Sequence, residues 1–279
     1  MPTPTAPALP TADTAASALE ELRSRVPLVQ SLTNIVSANF LTNVLLASGA
    51  TNAVIDNHHE AAFFAKIADA VLINLGTPTD GQAEAFTEAA RSAHDAGRPW
   101  VLDPVGVGGL PWRTGLAADL LAFRPTAIRG NASEITAVAG LGGDTRGVDS
   151  SSSAADAVPA ALALLTVSET VSASGPVDYV VGRTAAGDTG TVRVLGGSDL
   201  LPKVTATGCS LGALSAAYIA VAPDAFTGLV AAHTHFAVAS EIAERGAQGP
   251  GTFVPAFLDA LAAVDPDAIR KHGRVEAHS

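Results

Sequence analysis

Residues 203–213 read Lys203-Val204-Thr205-Ala206-Thr207-Gly208-Cys209-Ser210-Leu211-Gly212-Ala213, a polar front of small residues. Thr205 and Thr207 are candidate capping hydroxyls, and Gly208 marks a close approach of the backbone. Behind them Leu211, Leu214, Ala217, Tyr218 and Val221 follow helical spacing. A helix starting this way aims unpaired N–H groups and the positive end of its dipole at one place, an anion site. Cys209, the only cysteine in the chain, falls on its first turn, a position that favours a thiolate. On this stretch alone a blander reading stays open. Many helices begin with Thr and Gly and bind nothing, and a lone Cys is more often a small buried residue than a catalyst.

Two acidic groups could work with such a site. Asp103-Pro104-Val105-Gly106 places a carboxylate on a rigid turn, as a metal or phosphate-side acid requires, although Asp-Pro is also a common turn former. In Asn131-Ala132-Ser133-Glu134 either Asn131 or Ser133 can cap a helix. Glu134 there either complements the helix dipole or serves as a second acid near Mg²⁺. Together with Arg129, which could neutralise a triphosphate, these residues describe phosphoryl transfer: acids for the metal, donors for phosphate, little covalent chemistry. Other chemistries lack their motifs. There is no G-x-x-x-x-G-K-[ST] loop, the glycines at 106–109 run into Pro111, and His59-Glu60-Ala61-Ala62-Phe63 fails the last position of H-E-x-x-H. His233 and His235, two apart on a helix, face differently and receive no role.

Composition narrows the partners. Net charge is -11, and the only lysines are Lys66, Lys203 and Lys271, so nucleic acid and anionic membrane are poor partners. A single cysteine rules out an internal disulfide and fits a reducing, cytoplasmic compartment. With 279 residues, 48% hydrophobic and 15% charged, the chain has ample core for a compact α/β domain or an oligomer that hides further apolar surface.

These residues need a scaffold, and the pattern supplies one. Residues 1–11 read as a disordered segment, 12–265 as one domain and 266–279 as a tail. Strands are expected at 27–32, 52–56, 70–75, 99–102 and 126–129, alternating with helices at 12–26, 37–48, from 58, 80–97, 116–123 and 132–139. A Gly- and Ser-rich mobile stretch is expected at 140–153 and a helix at 154–171. Strands at 177–181 and 191–195 follow, then helices starting near Gly208, Asp224 and Pro250. Strands that end in polar residues and lead into helices imply a mostly parallel sheet covered on both faces. Ligands of such sheets bind beyond the carboxyl ends of the strands, where Asn34, Thr77, Asp103 and Asn131 lie.

Ten blocks in order also resemble the hydroxyethylthiazole kinase family: Ser31-Leu32-Thr33-Asn34, Asn39-Phe40, the segments 43–47 and 72–77, Pro99 to Gly106, Arg129 to Ile135, Gly147 to Ser150, 177–180, Thr205 to Cys209 and Gly249 to Phe253. The resemblance covers about residues 27–264. It implies a ribokinase-like three-layer α/β fold, usually a homotrimer with active sites between subunits. It implies ATP-dependent phosphorylation of the primary alcohol of 4-methyl-5-(2-hydroxyethyl)thiazole, a step of thiamine salvage, with Mg²⁺. By position, Arg129, Ser174, Asn131 and Thr205 would bind ATP, and Asp103 and Glu134 the metal. Ala206, Thr207, Gly208 and Cys209 would form the anion hole, with Cys209 the catalytic residue beside the substrate hydroxyl. Asn34, Val54 and Ala206 would face the thiazole. The chain departs from the family pattern in carrying Ala206 for glycine, Val54 for methionine and Ser174 for threonine. The alternatives are a related kinase for a hydroxymethylpyrimidine or pyridoxal-type alcohol, and an ATP-dependent hydrate-repair lyase of the same fold.

Overall fold

The computed structural model describes residues 9–140, 153–184 and 186–278. In chain order its elements are α1 (Ala12–Arg25), β1 (Leu28–Leu32), α2 (Ala38–Ser48), β2 (Thr51–Val54), α3 (Ala61–Ile67), β3 (Ala70–Asn74), α4 (Asp80–Asp95), β4 (Trp100–Asp103), α5 (Pro111–Leu121), β5 (Ala127–Asn131), α6 (Ala132–Gly140), α7 (Val158–Leu164), β6 (Thr170–Ser174), β7 (Val177–Arg183), β8 (Thr189–Leu195), α8 (Thr207–Ile219), α9 (Ala225–Glu244), α10 (Pro250–Ala263), α11 (Pro266–His272) and β9 (Arg274–Ala277). Among the described residues nine strands form one sheet in the order β2-β1-β3-β4-β5-β6-β7-β8-β9. Pairing is parallel from β2 through β6 and antiparallel from β6 to β9.

The central strands are buried on both faces, which is why β3 and β4 read as continuous apolar runs. One face packs against α1, α2, α8, α9, α10 and α11 through a core that includes Leu19, Leu41, Tyr218, Phe226 and Phe253. The other packs against α3 to α7 through Phe86, Trp100, Leu120 and Ile135. This is the expected three-layer arrangement.

Two readings need correction. The helix expected over 154–171 stops at Leu164, and Thr170–Ser174 is the strand β6, paired with both β5 and β7. The tail expected after residue 265 instead forms α11, capped by Asp265, and an edge strand, β9, hydrogen-bonded to β8. Most of the stretch expected to be mobile at 140–153 and of the N-terminal segment expected to be disordered lies outside the described residues. Thr11 caps α1.

Candidate active site

The registers align the carboxyl ends of β3, β4, β5 and β6, pairing Asn74 with Asp103 and Asn131 with Ser174. A row of polar side chains crosses these ends. Asn34 Nδ2 donates to Asn74 Oδ1 at 3.0 Å, and Asn74 Nδ2 donates to Asp103 Oδ2 at 2.7 Å. Arg129 Nη1 lies 3.9 Å from Asp103 Oδ2, and its Nη2 donates to Ser174 Oγ at 3.0 Å. Asn34, Asn74, Asp103 and Arg129 are all buried. Helix α8 points its N-terminus at this row. Its first i-to-i−4 bond runs from Ser210 N to Ala206 O, so the N–H groups of Thr207, Gly208 and Cys209 have no partner within the helix.

Two glycines let α8 come this close. A Cβ on Gly208 would stand 3.0 Å from Arg129 Nη1, and one on Gly212, a turn later, 3.2 Å from Asp103 Oδ2. On one side a cavity of about 620 Å³ opens between Arg129, Ser174, Gly208, Gly197, Phe236 and Arg274, large enough for a nucleotide. Asn131 and Thr207 also line it. On the other side a cavity of about 590 Å³ lies against Thr33, Ile35, Val54, Asp56 and Gln82 at the open edge of the sheet.

Electrostatics set the protonation states. Burial pushes the Asp103 carboxyl up to about 7 against the opposing pull of Arg129, and Glu134 adds to the rise. The Cys209 thiol is also raised, by burial first and by the Asp103 charge next. This runs against the expectation of a thiolate: loss of solvent and the neighbouring Asp103 charge both favour the neutral thiol. The capping expectation fails as well. The N-cap of α8 is Ala206, with no side-chain cap. Thr207 is already helical and turns its hydroxyl back to the carbonyls of Leu201 and Val204, each at 3.1 Å.

Glu134 is tied into the backbone. Its Oε1 accepts from Gly106 N at 3.1 Å and its Oε2 from Asn131 N at 2.9 Å, while Asn131 Oδ1 accepts from Glu134 N at 2.9 Å. The residue thus clamps the loop after β4 to the start of α6. Among the described residues no group of three or more His, Cys, Asp and Glu side chains could hold a metal ion. A divalent cation still fits the chemistry of the place. Asp103 Oδ1 is buried and has no hydrogen-bond partner among the described residues, and Mg²⁺ is commonly held by one or two carboxylates plus substrate phosphates.

The sequence profile of the hydroxyethylthiazole kinase family matches residues 19–267. The chain belongs to the hydroxyethylthiazole kinase family. A Rhodococcus erythropolis protein named hydroxyethylthiazole kinase is 69% identical over 265 residues, covering 95% of this chain and 94% of its own. One of the same name from Kineococcus radiotolerans is 51% identical over 91% of each chain. A hydroxyethylthiazole kinase structure from Pyrococcus horikoshii superposes with a TM-score of 0.85 at 32% identity, over 95% of this chain and 99% of that one. At 15% identity and a TM-score of 0.62, over 91% of this chain and 98% of the other, a Staphylococcus aureus pyridoxal kinase in complex with AMP-PCP and pyridoxal shares the fold.

In this member of the hydroxyethylthiazole kinase family the anticipated residues do not all converge. Asn34 Nδ2 reaches Cys209 Sγ at 3.9 Å, and Arg129 and Ser174 meet directly. Val54 stands apart, 39% exposed on the edge strand β2. Thr205 is exposed on the turn before α8 and does not line the larger cavity. Asn74 received no role in the sequence reading, yet it is the buried link between Asn34 and Asp103. The available signal was an amide closing an otherwise apolar strand.

Ala206 holds a left-handed conformation, φ 70°. That costs a residue other than glycine about 1–2 kcal/mol. Glycine's extra freedom in the unfolded chain offsets about 0.5–1 kcal/mol of any relief. Ala206→Gly is therefore expected to raise the urea midpoint slightly, by under about 1 kcal/mol of stability. A clear fall would mean that the methyl contributes packing that outweighs the backbone strain.

Proposed function

We propose that this protein transfers the γ-phosphoryl group of ATP to the primary alcohol of 4-methyl-5-(2-hydroxyethyl)thiazole, in the cytoplasm. The observation that carries this is the Asp103–Arg129 pair lying against the N-terminus of α8, between a nucleotide-sized cavity and a second cavity beside Val54. Family membership supplies the substrate class.

On this reading Arg129, Ser174 and Asn131 bind the nucleotide, with Thr205 left to contact it only from outside the cavity. The free N–H groups of residues 207–209 receive the transferring phosphoryl group. Asn34, Ala206 and Val54 face the thiazole. Asp103 and Glu134 would hold Mg²⁺, which neutralises phosphate charge when bound. Catalysis is then mainly positioning and charge neutralisation, since a loose phosphoryl-transfer transition state asks little of a base.

Cys209 fits this scheme as a neutral thiol next to Asn34, not as a thiolate base. Cys209→Ala is accordingly expected to lower kcat by less than about tenfold and to leave the pH dependence of kcat between pH 6 and 9 unchanged. Loss of a rise in kcat with pH over that range would restore the base.

The test of the reaction is ATP turnover with a panel of the thiazole alcohol, a hydroxymethylpyrimidine and pyridoxal, with the phosphate ester identified by mass. Ester formed from the thiazole alcohol at the highest kcat/KM is expected. A preference for another alcohol overturns the substrate. Phosphate release with no ester overturns the kinase reading.

We further propose a homotrimer whose neighbouring subunit closes the second cavity. The support is apolar exposure around that cavity: Ile35 is 90% exposed and Val36 58%, beside Val54. Sedimentation velocity giving a monomer at micromolar concentration would overturn it. Among the described residues no helix is long and apolar enough to cross a membrane.

A further inference from the structure

His233 sits in the middle of α9 with its side chain wholly buried, and both ring nitrogens are engaged. Its Nδ1 is 2.6 Å from Asp178 Oδ2, and its Nε2 is 3.0 Å from Ser172 Oγ in β6. Asp178 Oδ1, on β7, accepts from Gly175 N at 2.9 Å. Gly175 follows Ser174 in the turn that joins β6 to β7, and Ser174 Oγ accepts from Arg129 Nη2 at 3.0 Å.

The contacts form one chain from the interior of a helix to the guanidinium in the nucleotide cavity. His233, Asp178, Ser174 and Arg129 all line that cavity. The turn needs such an anchor. Gly175 is conformationally permissive and Pro176 has no N–H to donate, so the turn's own backbone holds it weakly. A buried imidazole is costly unless its nitrogens are paired, and an apolar residue would fill the same helix position without that requirement. Here both partners are present, and the second oxygen of Asp178 reaches the turn. Arg129 has little slack on its other side, where Gly208 leaves no room for a side chain.

We propose that His233, acting through Asp178, is a positioning residue for nucleotide binding. It holds the β6–β7 turn so that Ser174 Oγ keeps the Arg129 guanidinium facing the phosphates. The inference rests on the reading of this cavity as the ATP site.

The experiment is steady-state kinetics with ATP and the thiazole alcohol varied separately, paired with calorimetric titration of AMP-PCP into the whole protein. His233→Leu is expected to raise KM for ATP and weaken AMP-PCP binding about tenfold, with KM for the alcohol within about twofold of the original. His233→Asn, whose amide nitrogen can stand where Nδ1 stands, should recover most of the loss. A residue that only supports the fold would lower the melting temperature and move both KM values together. Should His233→Leu not fold, Asp178→Ala, at a part-exposed side chain, carries the same expectation. Unchanged AMP-PCP affinity in these variants, with the unmodified protein binding normally, overturns this inference alone. An unmodified protein that neither binds AMP-PCP nor turns over ATP overturns the ATP reading and this inference with it.

Discussion

Asp103→Asn is expected to lower kcat by about a thousandfold and, above neutral pH, to raise the melting temperature. Both effects come from one fact: a carboxylate is held, buried, at the centre of the polar row, with Oδ1 unpaired among the described residues. The loss of turnover follows because a charge placed to organise the phosphate side of the reaction cannot be replaced by an amide of the same shape. The gain in stability follows from linkage. Folding raises the pKa of Asp103 from 3.8 to about 7, so the folded protein holds this proton more tightly than the unfolded chain. Stability contributed by the protonated form is complete below the unfolded value and is lost as pH rises to about 7. Above that the buried charge costs on the order of 4 kcal/mol, which asparagine avoids. Calorimetry at pH 4 and pH 8 checks the sign. The variant should match the original at pH 4 and melt several degrees higher at pH 8. A difference that is constant with pH would mean the carboxylate is not the titrating group.

The second large effect is expected at Arg129. Arg129→Met keeps the apolar stem but removes the contacts to Asp103 and Ser174, and should reduce kcat/KM for ATP by about a hundredfold or more. Breaking a buried pair ordinarily costs about 3–5 kcal/mol. Asp103 can escape part of that by taking up a proton, since Arg129 is the main influence holding its pKa down. The melting loss at pH 6 should therefore be smaller than at pH 8. Arg129→Lys restores a charge but not a fork that can face two partners, and should recover only a minority of the activity. Near-complete rescue by lysine would show that only the charge matters, and not the Ser174 contact.

The layers and the carboxyl-end site were legible because β3 and β4 are apolar runs that close in Asn74 and Asp103, and because β1 and β5 likewise run into polar residues, Asn34 and Asn131, ahead of helices. Strand β6 was not. Thr170-Val171-Ser172-Ala173-Ser174 has no large side chain, follows an Ala-rich helix, and becomes a strand only through pairing on both sides. Strand β9 is likewise short and mostly exposed, held by its ladder to β8. At the site, the residue types at 103, 129 and 209 were apparent, but their ionisation was not. Burial decides the state of the Cys209 thiol, and burial depends on how closely glycines 208 and 212 let α8 approach. The link from Ser172 to His233 joins residues 61 apart in sequence, and no local pattern announces it.

The unpaired oxygen of Asp103 and the left-handed backbone of Ala206 bear on how this protein can change under selection. Both are sites where the fold is less stable than it could be, and both lie beside the reacting groups. Random mutagenesis scored only for survival on heating would favour substitutions that remove the Asp103 charge. Such a screen would enrich chains that melt later and no longer turn over. Heat tolerance and activity therefore have to be selected together in this protein. The cheapest gain without that conflict lies at residue 206, where glycine relieves the backbone and leaves every charged group in place.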